Sequence, residues 1–161
     1  LLSRKCGFLE IESMKLMLVC TSGGHFSTMR SLKSFWELHD RVWVTDRKKD
    51  TESLMGDEEV FWMPYQAPRN VMTLLLNLPR IFYLLLQQKP DMVVSTGASI
   101  AIGTAMLAKL LGIKFVFIES ISRSQELSLS GKIVYRVSDE FYVQWPTLVE
   151  KYPKALYRGY V

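Results

Sequence analysis

A chain of 161 residues with 48% hydrophobic content has enough apolar material for one domain around one sizeable core, which excludes a disordered or fibrous class. The formal charge of +4 and a pI near 9.1 suit an anionic ligand or an anionic membrane face. Lys and Arg are scattered along the chain rather than massed in one stripe, which argues against nucleic acid.

Residues 1–13 precede a natural-looking start at Met14-Lys15-Leu16 and carry no apolar run long enough for a signal peptide, so they read as an extension, vector-derived or from an extended reading frame. A single domain is expected over residues 14–161. The first strand is predicted at 15–20 and runs into Thr21-Ser22-Gly23-Gly24-His25, followed by a helix at 26–38. Gly23 and Gly24 let the backbone turn with free N–H groups at a helix N-terminus, which resembles a phosphate cradle. In that picture His25 takes a proton from an attacking hydroxyl. The plain alternative is a tight strand-to-helix turn with His25 as a capping or hydrogen-bonding residue. Cys6 and Cys20 form no metal-ligand spacing, and Cys20 ends the buried strand, so it reads as an inert thiol in a reducing compartment. Neither a metal nor a cofactor is expected.

A strand at 41–45, a helix at 48–55 and a strand at 59–63 come next, then a long helix at 70–88. Its apolar stretch is broken by Asn77, Pro79 and Arg80 and falls short of the roughly 20 residues a spanning helix needs. Its leucines nevertheless cannot all face one core. Leu75, Leu78 and Phe82, with Arg69, Arg80 and Lys89 near lipid headgroups, are therefore assigned to a membrane surface or a partner subunit. A helix bent at Pro79 and packed on two sides is the alternative.

A strand at 92–95 leads into Thr96-Gly97-Ala98-Ser99, with hydroxyls at the N-cap of a helix at 98–111. Ala101, Gly103, Ala105 and Ala108 mark close packing of that helix. The strand at 114–118 is followed directly by Glu119-Ser120-Ile121-Ser122-Arg123 and then Leu127-Ser128-Leu129-Ser130-Gly131-Lys132. A carboxylate in that position has to be solvated or paired, with Arg123 as its expected partner or as a bidentate phosphate holder. A helix at 130–137, a strand at 140–143 and a helix at 146–152 complete the chain. Apolar strands alternating with helices imply an α/β fold with a doubly wound, Rossmann-like parallel sheet. Polar clusters at three strand mouths outline one ligand site.

These motifs, together with Lys89-Pro90-Asp91-Met92 before the third mouth's strand and the ending Val143-Gln144-Trp145 to Tyr157-Arg158-Gly159, resemble the Alg14 family, nearest to its bacterial capsule and exopolysaccharide branch. The resemblance covers residues 14–161. It implies a half-enzyme similar to the N-terminal domain of MurG-like GT-B glycosyltransferases, with an Alg13-like donor-binding subunit supplying the UDP-sugar from a separate chain. This half would bind a polyprenyl diphosphate-linked sugar acceptor, peripherally, at the cytoplasmic face of a bacterial plasma membrane. Carried over, Ser22, Gly23, Gly24 and His25 form the acceptor-side loop, Thr96, Gly97 and Ser99 a second wall, and Glu119, Ser120 and Arg123 a third. The implied reaction is an inverting displacement with His25 the first candidate base and Glu119 the second. The expected transfer is galactose or glucuronate to glucose-linked undecaprenyl diphosphate, with donor choice residing on the other chain. Tyr157, Gly159, Tyr160 and Val161 are the expected partner-docking segment. The alternatives are a non-catalytic membrane scaffold and a self-sufficient nucleotide-binding enzyme, the latter weakened by the absence of a Gly-x-Gly-x-x-Gly fingerprint.

Overall fold

The structure, a computed structural model, describes residues 13–54, 56–64 and 70–161. Seven strands form one sheet: β1 (Lys15–Val19), β2 (Asp40–Asp46), β3 (Val60–Met63), β4 (Met92–Ser95), β5 (Lys114–Ile118), β6 (Glu140–Val143) and β7 (Ala155–Tyr157). Their spatial order is β3-β2-β1-β4-β5-β6-β7 and every neighbouring pair is parallel. The order reverses direction between β1 and β4, which creates the crevice where open parallel sheets hold ligands.

The helices are α1 (Gly24–Ser31), α2 (Lys33–Trp36), α3 (Val71–Gln88), α4 (Ile100–Leu111), α5 (Leu129–Val134) and α6 (Thr147–Lys151). Strand residues alternate between two cores, as period-two side chains must. Leu16, Leu18, Trp43, Val94 and Ile118 face Phe26, Met29 and Trp36 of α1 and α2, whereas Met17, Val19, Val44, Val93, Phe115 and Phe117 face α3 to α6. Trp43 is fully buried and meets Phe26 and Trp36 edge-on, at ring separations of 5.9 and 5.4 Å, arrangements favoured by the ring quadrupoles.

The doubly wound parallel sheet is as expected, and several elements differ in extent for local reasons. The helix expected at 26–38 is two short helices meeting at Leu32, whose φ of −85° and ψ of 16° leave the helical region. The helix expected at 48–55 is one 3₁₀ turn, Thr51–Leu54. The helix expected from residue 98 starts at Ile100, because Gly97 and Ala98 hold φ of 128° and 67°. Strand β7 was not expected, and only its last residue, Tyr157, belongs to the run assigned to docking; its three residues pair with Phe141, Tyr142 and Val143 of β6.

Helix α3 is continuous across Pro79 and is capped by Asn70, whose side chain accepts from the Thr73 amide at 3.2 Å. Among the described residues no helix is long and apolar enough to cross a membrane. Gly103 lets α4 approach α3 closely: a methyl group there would collide with Leu78 and press on Leu74. Leu78 is therefore a packing residue between two helices rather than a surface contact.

Candidate active site

The mouths of β1 and β4 are tied together by a reciprocal clasp. Thr96 Oγ1 donates to the His25 carbonyl at 2.6 Å, and His25 Nδ1 lies 2.7 Å from the Thr96 carbonyl oxygen. A carbonyl can only accept, so the neutral imidazole carries its proton on Nδ1 and presents the Nε2 lone pair. No hydrogen bond to Nε2 forms among the described residues. The Cε1–Nδ1 edge of the ring lies against Gly97: a Cβ on that glycine would sit 2.5 Å from Cε1 and 2.6 Å from Nδ1. Glycine is thus required at this position both for its φ of 128° and for the absence of a side chain. Thr96 and Gly97, expected as a second wall, are buried and pack against His25. Ser99 is half-buried and makes no side-chain cap to α4.

The glycine turn is already occupied by the protein's own carboxylates. Asp46, at the end of β2 and 3% exposed, accepts from the Ser22 amide at 2.6 Å and from Ser22 Oγ at 2.8 Å. Asp50 Oδ2 accepts from the Gly23 amide at 2.6 Å. Two of the amides assigned to a phosphate are therefore spent, and the phosphate cradle at Ser22 and Gly23 is not open. Neither acid was singled out in the sequence. The signal was present, because Asp46 follows a buried β run just as Glu119 does.

At the mouth of β5, Glu119 is 1% exposed and turned inward. Its Oε1 accepts from the Ser120 amide, and its Oε2 accepts from both the amide and Oγ of Ser128, each at 2.9 Å. Ser128 in turn caps α5 by accepting from the Gly131 amide at 2.9 Å. Gly131 has no room for a side chain, since any Cβ would collide with the Glu119 carboxylate. The expected Glu119–Arg123 ion pair does not form; the serine hydroxyl and two amides satisfy the carboxylate instead. Arg123 is exposed, its amide donating to the Ser120 carbonyl at 3.0 Å, and its guanidinium has no ion-pair partner among the described residues. Ser120 and Ser122 hydroxyls lie 2.9 Å apart beside it.

The loop between Ser120 and Ser128 is fastened from outside by Glu126. Its carboxylate accepts from Tyr152 Oη at 2.7 Å and pairs with Lys132 at 3.1 Å and Lys151 at 3.3 Å, which holds its pKa down at about 2, the tyrosine hydrogen bond contributing most. Behind β1, burial pushes the Cys20 thiol up to about 12, as expected of an inert core residue.

Two further surfaces flank the crevice. On α3, Leu75 and Phe82 are exposed as expected, with Arg80 and Lys89, and so are Val71, Met72 and Leu76; α4 adds Met106 and Leu110, which the sequence reading missed. Arg69 lies outside the described residues. On the opposite face of the sheet, a cavity of about 290 Å³ opens over β4 to β6, lined by Phe35, Val116, Ile118, Tyr142, Arg158 and Val161 among others. Val161 is anchored there by its amide donating to Gln144 Oε1 at 2.9 Å, and Tyr160 packs near Trp145 at a ring separation of 6.4 Å.

Comparison with known proteins bears on the family and the fold. The family described as "Oligosaccharide biosynthesis protein Alg14 like" matches residues 65–161. The chain is 43% identical to the human protein named UDP-N-acetylglucosamine transferase subunit ALG14, over 92% of this chain and 83% of that one. Its identity to the mouse protein of the same name is 32%, over the same shares, and to that of Yarrowia lipolytica 29%, over 98% and 87%. Among solved structures, MurG of Acinetobacter baumannii superposes with a TM-score of 0.66 at 17% identity over 83% of this chain and 42% of that one. The UDP complex of Staphylococcus aureus MnaA gives 0.71 at 12% identity, over 91% and 45%. The chain thus spans less than half the length of these solved proteins, which share its Rossmann-like fold. With the family's matched segment covering the mouths of β4 and β5 and the relatives extending the match across the His25 loop, the chain belongs to the Alg14 family.

Proposed function

We propose that this chain is the acceptor-binding, membrane-facing subunit of a two-chain glycosyltransferase whose donor is UDP-N-acetylglucosamine, delivered by an Alg13-like partner. The observation that carries the reading is the His25 clasp at the sheet's switch point, which leaves an oriented Nε2 lone pair at the mouth of β1 and β4. Such a nitrogen is suited to take the proton of an acceptor hydroxyl as it attacks the anomeric carbon of the donor with inversion. Glu119 is the strut of the third wall rather than the base, since both its oxygens are engaged. Arg123, with Ser120 beside it, offers the unpaired cation and hydroxyl that a polyprenyl diphosphate requires.

The donor reading is supported by the names of the relatives and stands in place of the galactose or glucuronate expected of a capsule enzyme. The human, mouse and Yarrowia relatives are animal and yeast proteins, so a capsule or exopolysaccharide setting at a bacterial membrane rests on the sequence motifs alone. The membrane role is supported by the exposed apolar residues of α3 and α4, flanked by Arg80, Lys89 and Lys109, with no acidic residue on either helix. Partner docking is supported by the anchored segment Tyr157 to Val161, where Gly159 and Val161 line the apolar cavity.

The deciding experiment measures sugar transfer to a polyprenyl diphosphate-linked acceptor from a panel of UDP-sugars, with this chain alone, the partner alone and both on membranes. Transfer of N-acetylglucosamine only with both chains supports the reading. Activity from this chain alone defeats the half-enzyme, and transfer of another sugar by the pair defeats the donor assignment.

A further inference from the structure

Three carboxylate bonds hold the turn that carries His25, and they come from a different crossover than the one that carries the histidine. Asp46 closes β2 and is 3% exposed, yet both its oxygens point across to Ser22 on the neighbouring β1 crossover. Asp50, four residues on, reaches the next amide, Gly23. The segment between them is itself closed: Thr51 Oγ1 donates to the Asp46 carbonyl at 2.7 Å and accepts from the Lys48 amide at 2.9 Å. Lys48 Nζ stands 3.8 Å from Asp46 Oδ2. Charge-assisted bonds of this length are among the stronger hydrogen bonds available to a backbone amide. The turn they grip contains Gly23 at φ 84°, a backbone conformation open to glycine and rarely adopted by other residues. His25 follows two residues later and is fixed on its far side by Thr96.

We infer that Asp46 and Asp50 are positioning residues for His25, and that the Ser22 and Gly23 amides serve to orient this ring rather than to bind an acceptor phosphate. The inference rests on the reading of His25 as the base. An imidazole aimed from one side only would sweep an arc about its Thr96 contact. The two acids supply the second point of attachment and keep Nε2 directed at the mouth. Misplacement of a reacting group by about 1 Å costs about 100-fold in rate, which sets the size of effect such a device protects.

The test compares Asp50→Ala, Asp50→Asn and Asp46→Asn in two measurements. In the complete two-chain enzyme, Asp50→Ala lowers kcat about 10- to 100-fold while the acceptor KM changes less than about threefold, and Asp50→Asn, whose amide oxygen still accepts from Gly23, recovers most of that loss. In the full chain alone, the ¹⁵N spectrum of His25 reports a single Nδ1–H tautomer in the wild type and a mixture in Asp50→Ala. Asp46→Asn follows the same direction if it folds; the exposed Asp50 keeps the test independent of that. A raised KM with kcat intact would assign the amides to acceptor binding and overturn the inference, as would unchanged kinetics with an unchanged tautomer signal. If the wild-type pair shows no transfer, the functional reading has failed separately, and the tautomer signal decides the positioning of the ring by itself.

Discussion

His25 at the mouth of β1 and Glu119 at the mouth of β5 look equivalent in the sequence, each a titratable side chain set directly beyond a buried strand. The structure treats them oppositely. Glu119 is sealed, 1% exposed with both carboxylate oxygens bonded within its own loop, whereas His25 is half-buried and spends one ring nitrogen to fix its orientation while leaving the other unbonded. The difference teaches that a polar group at a strand mouth does chemistry only if its surroundings leave it an unspent valence. A buried carboxylate that collects three donors is worth more to the fold than to a reaction.

The largest test of this contrast is His25→Asn in the assembled transferase. Transfer falls about 100- to 10,000-fold, the range for a lost general base, while partner binding, followed by co-purification, is retained. Glu119→Gln measured alongside should cost far less activity per folded molecule; an equal loss from both would erase the distinction. Next comes Gly97→Ala, which places a methyl group 2.5 Å from His25 Cε1 at a φ of 128°. We expect a rate loss of about 100-fold from the displaced ring, with destabilisation of about 1 to 3 kcal/mol in urea titration. A Gly97→Ala enzyme of full activity would show that His25 needs no fixed seat.

On the Glu119 side the expected effect is on stability. Glu119→Ala strands the Ser120 and Ser128 amides, and chemical denaturation should register a loss of about 3 kcal/mol. A loss below about 1 kcal/mol would mean that water replaces the carboxylate and that the mouth is not sealed. The smallest effect is a pH dependence. Glu126, whose carboxyl is held at about 2 against an ordinary 4.5, contributes stability that is fully present above pH 4.5 and is lost as pH falls toward 2. The thermal midpoint of the wild type should therefore decline over that window more steeply than that of Glu126→Gln. Parallel curves would show that the clasp by Tyr152, Lys132 and Lys151 leaves the loop under Glu119 unaffected.

Much of the architecture was legible because it depends on short-range properties. Runs such as Met92-Val93-Val94 and Phe115-Val116-Phe117 are apolar at consecutive positions, which only strands covered on both faces tolerate. The small residues of α4 announced its close packing on the sheet, while the approach of Gly103 to α3 came only with the structure, and the Gly97 loop announced a turn. Strand β7 escaped notice because three residues with one alanine carry no periodic signal; they become a strand only by pairing with β6. The 3₁₀ turn at Thr51–Leu54 escaped for a related reason, since its course is fixed by Thr51 bonding back to Asp46 and Lys48.

For the site, the sequence by itself determined which residues arrive at the strand mouths, because each lies within a few positions of a strand's end and the chain order of strands and helices dictates a parallel sheet. It also carried the motifs by which the family is identified. Tertiary structure alone decided who bonds to whom. Asp46 meets Ser22 across 24 positions and His25 meets Thr96 across 71, separations over which no local pattern constrains a partner. The pairings of Glu119 with Ser128 in place of Arg123, and of the Gly23 turn with Asp50 in place of an outside anion, are settled by distance. A hydrogen bond is directional and short-ranged, so the group that reaches the donor at 2.6 to 2.9 Å excludes all others, and only the assembled sheet sets those distances.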